Sequence, residues 1–164
     1  MKAAELPALL QDFYRDKLTA LMRHQATARL IGQYDVNNAY QYVVNREELQ
    51  VTWIARALAD LDLAAPSVND ADRSVSGKGA EAAASAIRED AADAQAFLDR
   101  WQPKLDHVVN VRVRNMMRIV LGEVLEQKRL FEQAAAGRSD LIGRRAAQPE
   151  PAKGTVLATR WVGE

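Results

Sequence analysis

Residues 40–61, YQYVVNREELQVTWIARALADL, constrain the fold more than any other part of the chain. Val43, Ile54, Ala57, Leu58 and Leu61 recur at helical spacing and make one apolar stripe. Glu47 and Gln50 fall on the same stripe. A helix this long buries its stripe against other helices, so a carboxylate held there needs a partner: a metal, a cation or a hydrogen-bond network.

Three further segments share the helical period. In the first, Leu10, Phe13, Tyr14, Lys17, Leu21, Gln25, Ala28 and Ile31 fall about one turn apart, and Gly32 is the expected stop. The second helix extends over 36–61 with Asp35 as N-cap. The following stretch, AAPSVNDADRSVSGKG, mixes Pro, Gly, Ser, Asn and Asp and reads as a long connection. A third, Ala-rich helix is expected over 80–101, with Ile87, Ala91, Ala94, Leu98 and Trp101 on one side and Pro103 as its break. The fourth is expected over 106–136, with Val109, Val113, Met116, Val120, either Glu123 or Val124, Gln127 and Phe131 on its stripe and Gly137 as its cap. Residues 108–113 alternate like a strand but continue into the longer helical pattern.

The expected architecture is all-α, with a four-helix bundle over 1–137 and an irregular tail over 138–164. A long crossover separates helices 2 and 3. Val156, Leu157, Trp161 and Val162 suggest that the tail docks on the bundle or on a second copy.

Charge and composition narrow the partners. The 22 basic side chains cancel the 22 acidic ones, so no global field favours nucleic acid or an anionic membrane, and neither is expected as a partner. The absence of Cys excludes disulfides, thiolate metal sites and a cysteine nucleophile, and fits a reducing cytoplasm. The first residues, MKAAELPALLQDFYRDKL, meet charges too early for a secretory signal, and no stretch approaches the roughly 18 apolar residues of a membrane span. A soluble, cytoplasmic protein is expected. Ser76-Gly77-Lys78-Gly79 lacks the spacing and the preceding strand of a phosphate loop. Arg112, Arg114 and Arg118 do not form one row, so they make no nucleic-acid patch.

The phrase ARLIGQYDVNNAYQYVVNREELQVTWIARALADL resembles the first helix pair of the ferritin-like, rubrerythrin-type superfamily, and MMRIVLGEVLEQKRLFEQAAAGRSDLIGRR is similar to its last helix. The resemblance covers residues 5–137 and implies a ferritin-like four-helix bundle. Such bundles hold two metal ions with four carboxylates and two imidazoles, the latter in Glu-x-x-His pairs. Carried over residue by residue, the second-helix pair falls on Glu47 and Gln50, and the first-helix acid near Gln25. The last-helix pair falls on Val124 and Gln127 or, one residue earlier, on Glu123 and Glu126. The third-helix acid has no counterpart among Ala91, Ala94 and Gln95, although Asp90 and Asp93 lie nearby.

Amides thus stand where ligands belong, and Gln offers only a neutral carbonyl and a donor. The resemblance then implies one of two outcomes. In the first, the di-iron centre is lost and no cofactor or catalytic residue remains. Lys17, Gln25, Glu47, Gln50 and Gln127 form a polar cluster in the vacated site, with Lys17, or else Arg114 or Arg118, paired to Glu47, and the protein serves a binding, assembly or stress-associated structural role. In the second, Glu47, Glu123 and Glu126, with His24 as an off-register ligand, hold iron or manganese for redox or iron-handling work. His24 otherwise reads as a surface or capping residue, and His107 as structural. Because ferritin-like domains associate through helix faces, a homodimer is implied.

Overall fold

Four stripes become four helices. The computed structural model describes residues 5–69, 78–138 and 140–143, and in it the chain forms α1 (Leu6–Ala28), α2 (Tyr34–Ala59), α3 (Ala80–Leu105) and α4 (Val111–Ala135). No strand occurs among the described residues, so the alternating stretch 108–113 is a turn leading into a helix. No helix among them is long and apolar enough to cross a membrane.

α1 packs on α2 and α3, and α4 packs on the same two helices, so α1 faces α4 and α2 faces α3 across the bundle's diagonals. Side-chain pairs give the directions. Lys17 meets Glu47 while Asn37 meets Ala28, so α1 and α2 are antiparallel. Asp16 meets Trp101 while Arg23 meets Asp93, so α1 and α3 are antiparallel too. Arg46 meets Glu123 while Arg112 meets Asp60, which makes α2 and α4 antiparallel. α2 and α3 therefore run in the same direction.

The ends of the helices differ from expectation where local chemistry outweighs the breaker residues. α2 starts at Tyr34 with Gln33 as its N-cap, leaving Asp35 inside the first turn, where a carboxylate favours the positive end of the helix dipole. α3 runs through Pro103 and ends at Leu105: the ring fits helical φ but removes a backbone N–H from the last turn, and the helix stops two residues later. The turn is then pinned by Val108, which is fully buried, and α4 begins only at Val111 because the Asn110 side chain accepts from the Val113 N–H at 3.1 Å. Val109 is consequently exposed and outside the helix. Gly137 caps α4 as expected. Its φ of +83° lets the Arg138 N–H reach the Gln133 carbonyl at 3.0 Å, closing the last turn.

Within the core, Phe13 packs edge-on against Trp101 with ring centres 4.9 Å apart and also touches Phe97. Tyr40 and Phe131 form a second aromatic contact at 5.1 Å. Ala82, Ala83, Ala86 and Ala94 are buried on α3, and such small side chains permit close approach of a neighbouring helix. Beyond α4, Leu141 packs against this core while Ile142 is exposed. The expected docking residues Val156, Leu157, Trp161 and Val162 lie outside the described residues.

A buried charge network as candidate functional site

Between the two aromatic groups lies a set of side chains that an apolar core would normally exclude. Lys17, Glu47, Asp90 and Tyr40 are completely buried and His24 is nearly so. α1 contributes Lys17 and His24, α2 contributes Tyr40 and Glu47, and α3 contributes Asp90. The spacing of each stripe puts them there: positions 36, 40, 43, 47, 50, 54 and 58 of α2 are all buried, so Glu47 sits mid-seam with no freedom to turn outward.

Glu47 is the hub. Lys17 Nζ donates to its Oε1 at 2.7 Å, and His24 Nδ1 lies 2.7 Å from its Oε2. Burial pushes the Glu47 carboxyl up, but the charges of His24 and Lys17 and their hydrogen bonds outweigh that and hold it at about 2. An ionised carboxylate only accepts, so His24 Nδ1 carries the proton. On its other side His24 Nε2 is 3.8 Å from Asp90 Oδ1, too far for a hydrogen bond but close enough for charge attraction. The Tyr40 hydroxyl donates to Asp90 Oδ2 at 2.7 Å. Burial pushes the imidazolium down, yet Glu47 and Asp90 together raise it above its usual 6.5. Two cations, Lys17 and protonated His24, thus oppose two anions, Glu47 and Asp90, and the buried cluster is neutral as a whole.

A second polar layer lies one turn away on the α2–α4 seam. Arg46 grips both oxygens of Glu123, and Gln50 Nε2 donates to Glu123 Oε2 at 2.5 Å. Gln50 therefore serves Glu123 and not Glu47, and its own Oε1 has no protein partner among the described residues.

The structure places the remaining anticipated residues as follows. Val124 and Gln127 face inward from α4, so of the two registers this is the inward one. Glu126 is exposed and pairs with Arg129 at 2.6 Å. Gln25 is half-buried and outside the network, because α1 turns His24 inward at that level instead. Arg114 donates to the Val108 carbonyl and Arg118 to Asn115, so neither is the partner of Glu47. His24 is neither a surface nor a capping residue. Asp90, which the sequence placed only near the expected third-helix position, is the α3 member of the network. Its signal was present in the regular series Ala83, Ile87, Asp90, Ala94, Phe97 and Trp101, all buried.

A di-iron centre does not fit these residues. Glu47, Glu123 and Glu126 do not converge, both oxygens of Glu47 are already bonded, and an ammonium ion stands at 2.7 Å from one of them. Among the described residues no group of three or more His, Cys, Asp or Glu is arranged to hold a metal ion.

Beside the network a cavity of about 260 Å³ opens between α1 and α3. Lys17, His24, Glu47 and Gln127 line its inner part; Ala20, Ala94, Phe97 and Val124 are among its apolar lining. Two ion pairs that line it also bridge the α1–α3 seam, Arg23–Asp93 at 2.9 Å and Arg100–Asp16 at 2.8 Å.

No protein-family model, curated protein or solved structure matches this chain. The class that fold and site define is an all-α four-helix bundle with a buried, charge-balanced Lys–Glu–His–Asp network.

Proposed function

We propose that this protein is a ferritin-like bundle whose di-iron centre has been replaced by ions of its own side chains, and that it serves a binding, assembly or stress-associated structural role. The observation that carries the reading is the Lys17 ammonium 2.7 Å from Glu47 at the bundle's centre. A simple interaction bundle has no need of four converging buried charges, since an apolar core of equal volume is as stable or more so. Inherited ligand positions account for them: acids on α2 and α3 face one another through groups on α1, as in a carboxylate-bridged metal site. The parallel course of α2 and α3 supports the same reading, because a chain leaving α2 at Ala59 must return along the bundle before entering α3 at Ala80, the crossover of ferritin-like folds.

Elemental analysis of protein produced in iron-supplemented medium tests the proposal. The expected result is iron and manganese far below one atom per chain. Near-stoichiometric metal that Glu47→Ala removes would establish the alternative, a rearranged redox or iron-handling centre.

Pairing with a second copy belongs to the same proposal. It is favoured by a partly open groove between α2 and α4 in which Trp53, Ala57, Leu61, Met116 and Ile119 leave apolar surface in solvent. Sedimentation equilibrium is expected to give twice the chain mass, lowered to the chain mass by Ile119→Lys. A monomer at all concentrations would remove this part of the reading.

A further inference from the structure

Beyond α4 the chain turns back onto the bundle. After Gly137, Leu141 packs against the core, and both Leu141 and Ile142 enter the wall of a groove between α2 and α4. This groove encloses about 470 Å³ and is distinct from the one around Trp53 and Ile119 at the other end of the same seam. Val43 and Leu130 are among its apolar lining, and two further lining side chains, Tyr42 and Ile142, are 50% and 49% exposed. Its charges cancel, because Arg46 is bonded to Glu123 and Arg129 to Glu126. A groove with paired charges and uncovered apolar side chains favours an apolar occupant over an ionic one.

We propose that the chain's own residues 156–162, VLATRWV, dock in this groove, with Trp161 against Tyr42 and Ile142. Leu141 and Ile142 already bring the chain into the groove, and only residues 143–155 separate them from this segment. A flexible tether of that length averages about 20 Å between its ends. The groove's α4 lining, from Glu123 to Gln133, extends about 15 Å, so the segment reaches all of it. Tethering presents the segment at an effective concentration on the order of millimolar, which at micromolar protein excludes the same segment of a second copy. Val156, Leu157, Trp161 and Val162 supply the apolar surface that would cover Tyr42 and Ile142, and the indole carries the largest share of it. The inference goes beyond the proposed function and uses a different groove from the one assigned to pairing, so metal content or chain mass can contradict that reading without touching this one.

Acrylamide quenching of Trp161 fluorescence tests the docking, with the Trp161 signal taken as the difference between the full chain and its Trp161→Phe variant. The expected quenching constant is at least about threefold below that of N-acetyltryptophanamide, as for an indole removed from solvent. Tyr42→Glu and Ile142→Glu each place a carboxylate in the apolar wall and should raise the constant to that of the free indole. Both positions are half exposed, and circular dichroism confirms that the variants remain helical. Ile119→Lys, in the other groove, should leave Trp161 protected, and so should dilution. Quenching like the free indole in the unaltered chain overturns the proposal, as does protection that survives both wall variants. Protection lost in Ile119→Lys would place the segment in the other groove, and protection lost on dilution would place it on a second copy; either result overturns the assignment made here.

Discussion

Lys17→Met should destabilise the protein by about 3–5 kcal/mol, because it removes a cation from a fully buried carboxylate. Methionine fills most of the volume of the lysine stem, so the loss measures the stranded Glu47 charge more than a cavity. Glu47→Leu should be comparably damaging for the mirror-image reason. The double variant should recover most of the loss, since a buried ion pair exchanged for apolar groups of similar size is often neutral or stabilising. His24 and Asp90 would still balance each other in that protein. Denaturant unfolding of the four proteins measures the coupling. Simple addition of the two single losses would mean that Lys17 and Glu47 do not stabilise one another and that the network is not what holds the centre. The exposed Arg129–Glu126 pair is the control, and breaking it should cost at most about 0.5 kcal/mol.

A stability plateau bounded on both sides by the same cluster is the second expectation. Glu47 is held at about 2 against an ordinary 4.5, so its contribution is present above pH 4.5 and is lost as pH falls towards the folded value. The difference corresponds to about 3 kcal/mol. His24 behaves in the opposite sense. Its folded value is raised above 6.5, so its contribution is complete below pH 6.5 and disappears as pH rises through the folded value. Burial and the Lys17 charge pull the value down, Glu47 and Asp90 outweigh them, and the Tyr40 hydroxyl holds Asp90 from α2. Melting temperatures across pH should therefore peak between these limits and decline on each side. His24→Gln should flatten the alkaline decline while leaving an acid one. An alkaline decline that persists unchanged in that variant would show that His24 is not its source.

How far the site could be read from residues alone depended on how unusual each residue was for its stripe. Lys17 and Glu47 stand on otherwise apolar stripes, and burying both on facing helices leaves little alternative to pairing them. His24 was harder because Gln25 beside it fits the α1 stripe as well: one residue is about 100° of helix rotation, and a period of 3.6 does not choose between neighbours at the seam. Asp90 was masked in the same way by Ala91. On α4 the periodicity left Glu123 and Val124 open, and packing turned Val124 and Gln127 inward, leaving Glu123 at the edge with Arg46 and Gln50. Gln50 met Glu123 and not Glu47 because Lys17 and His24 already occupy both oxygens of Glu47.

The sequence by itself determined four amphipathic helices, the buried position of Glu47 and the cap at Gly137, because each follows from local period or backbone preference. Only the tertiary structure decided that His24 and Asp90 complete the network, that Glu126 is excluded from it, and that a cavity lies alongside. Those outcomes depend on the rotation and axial level of one helix against another, and packing of whole faces sets these to within a fraction of a turn.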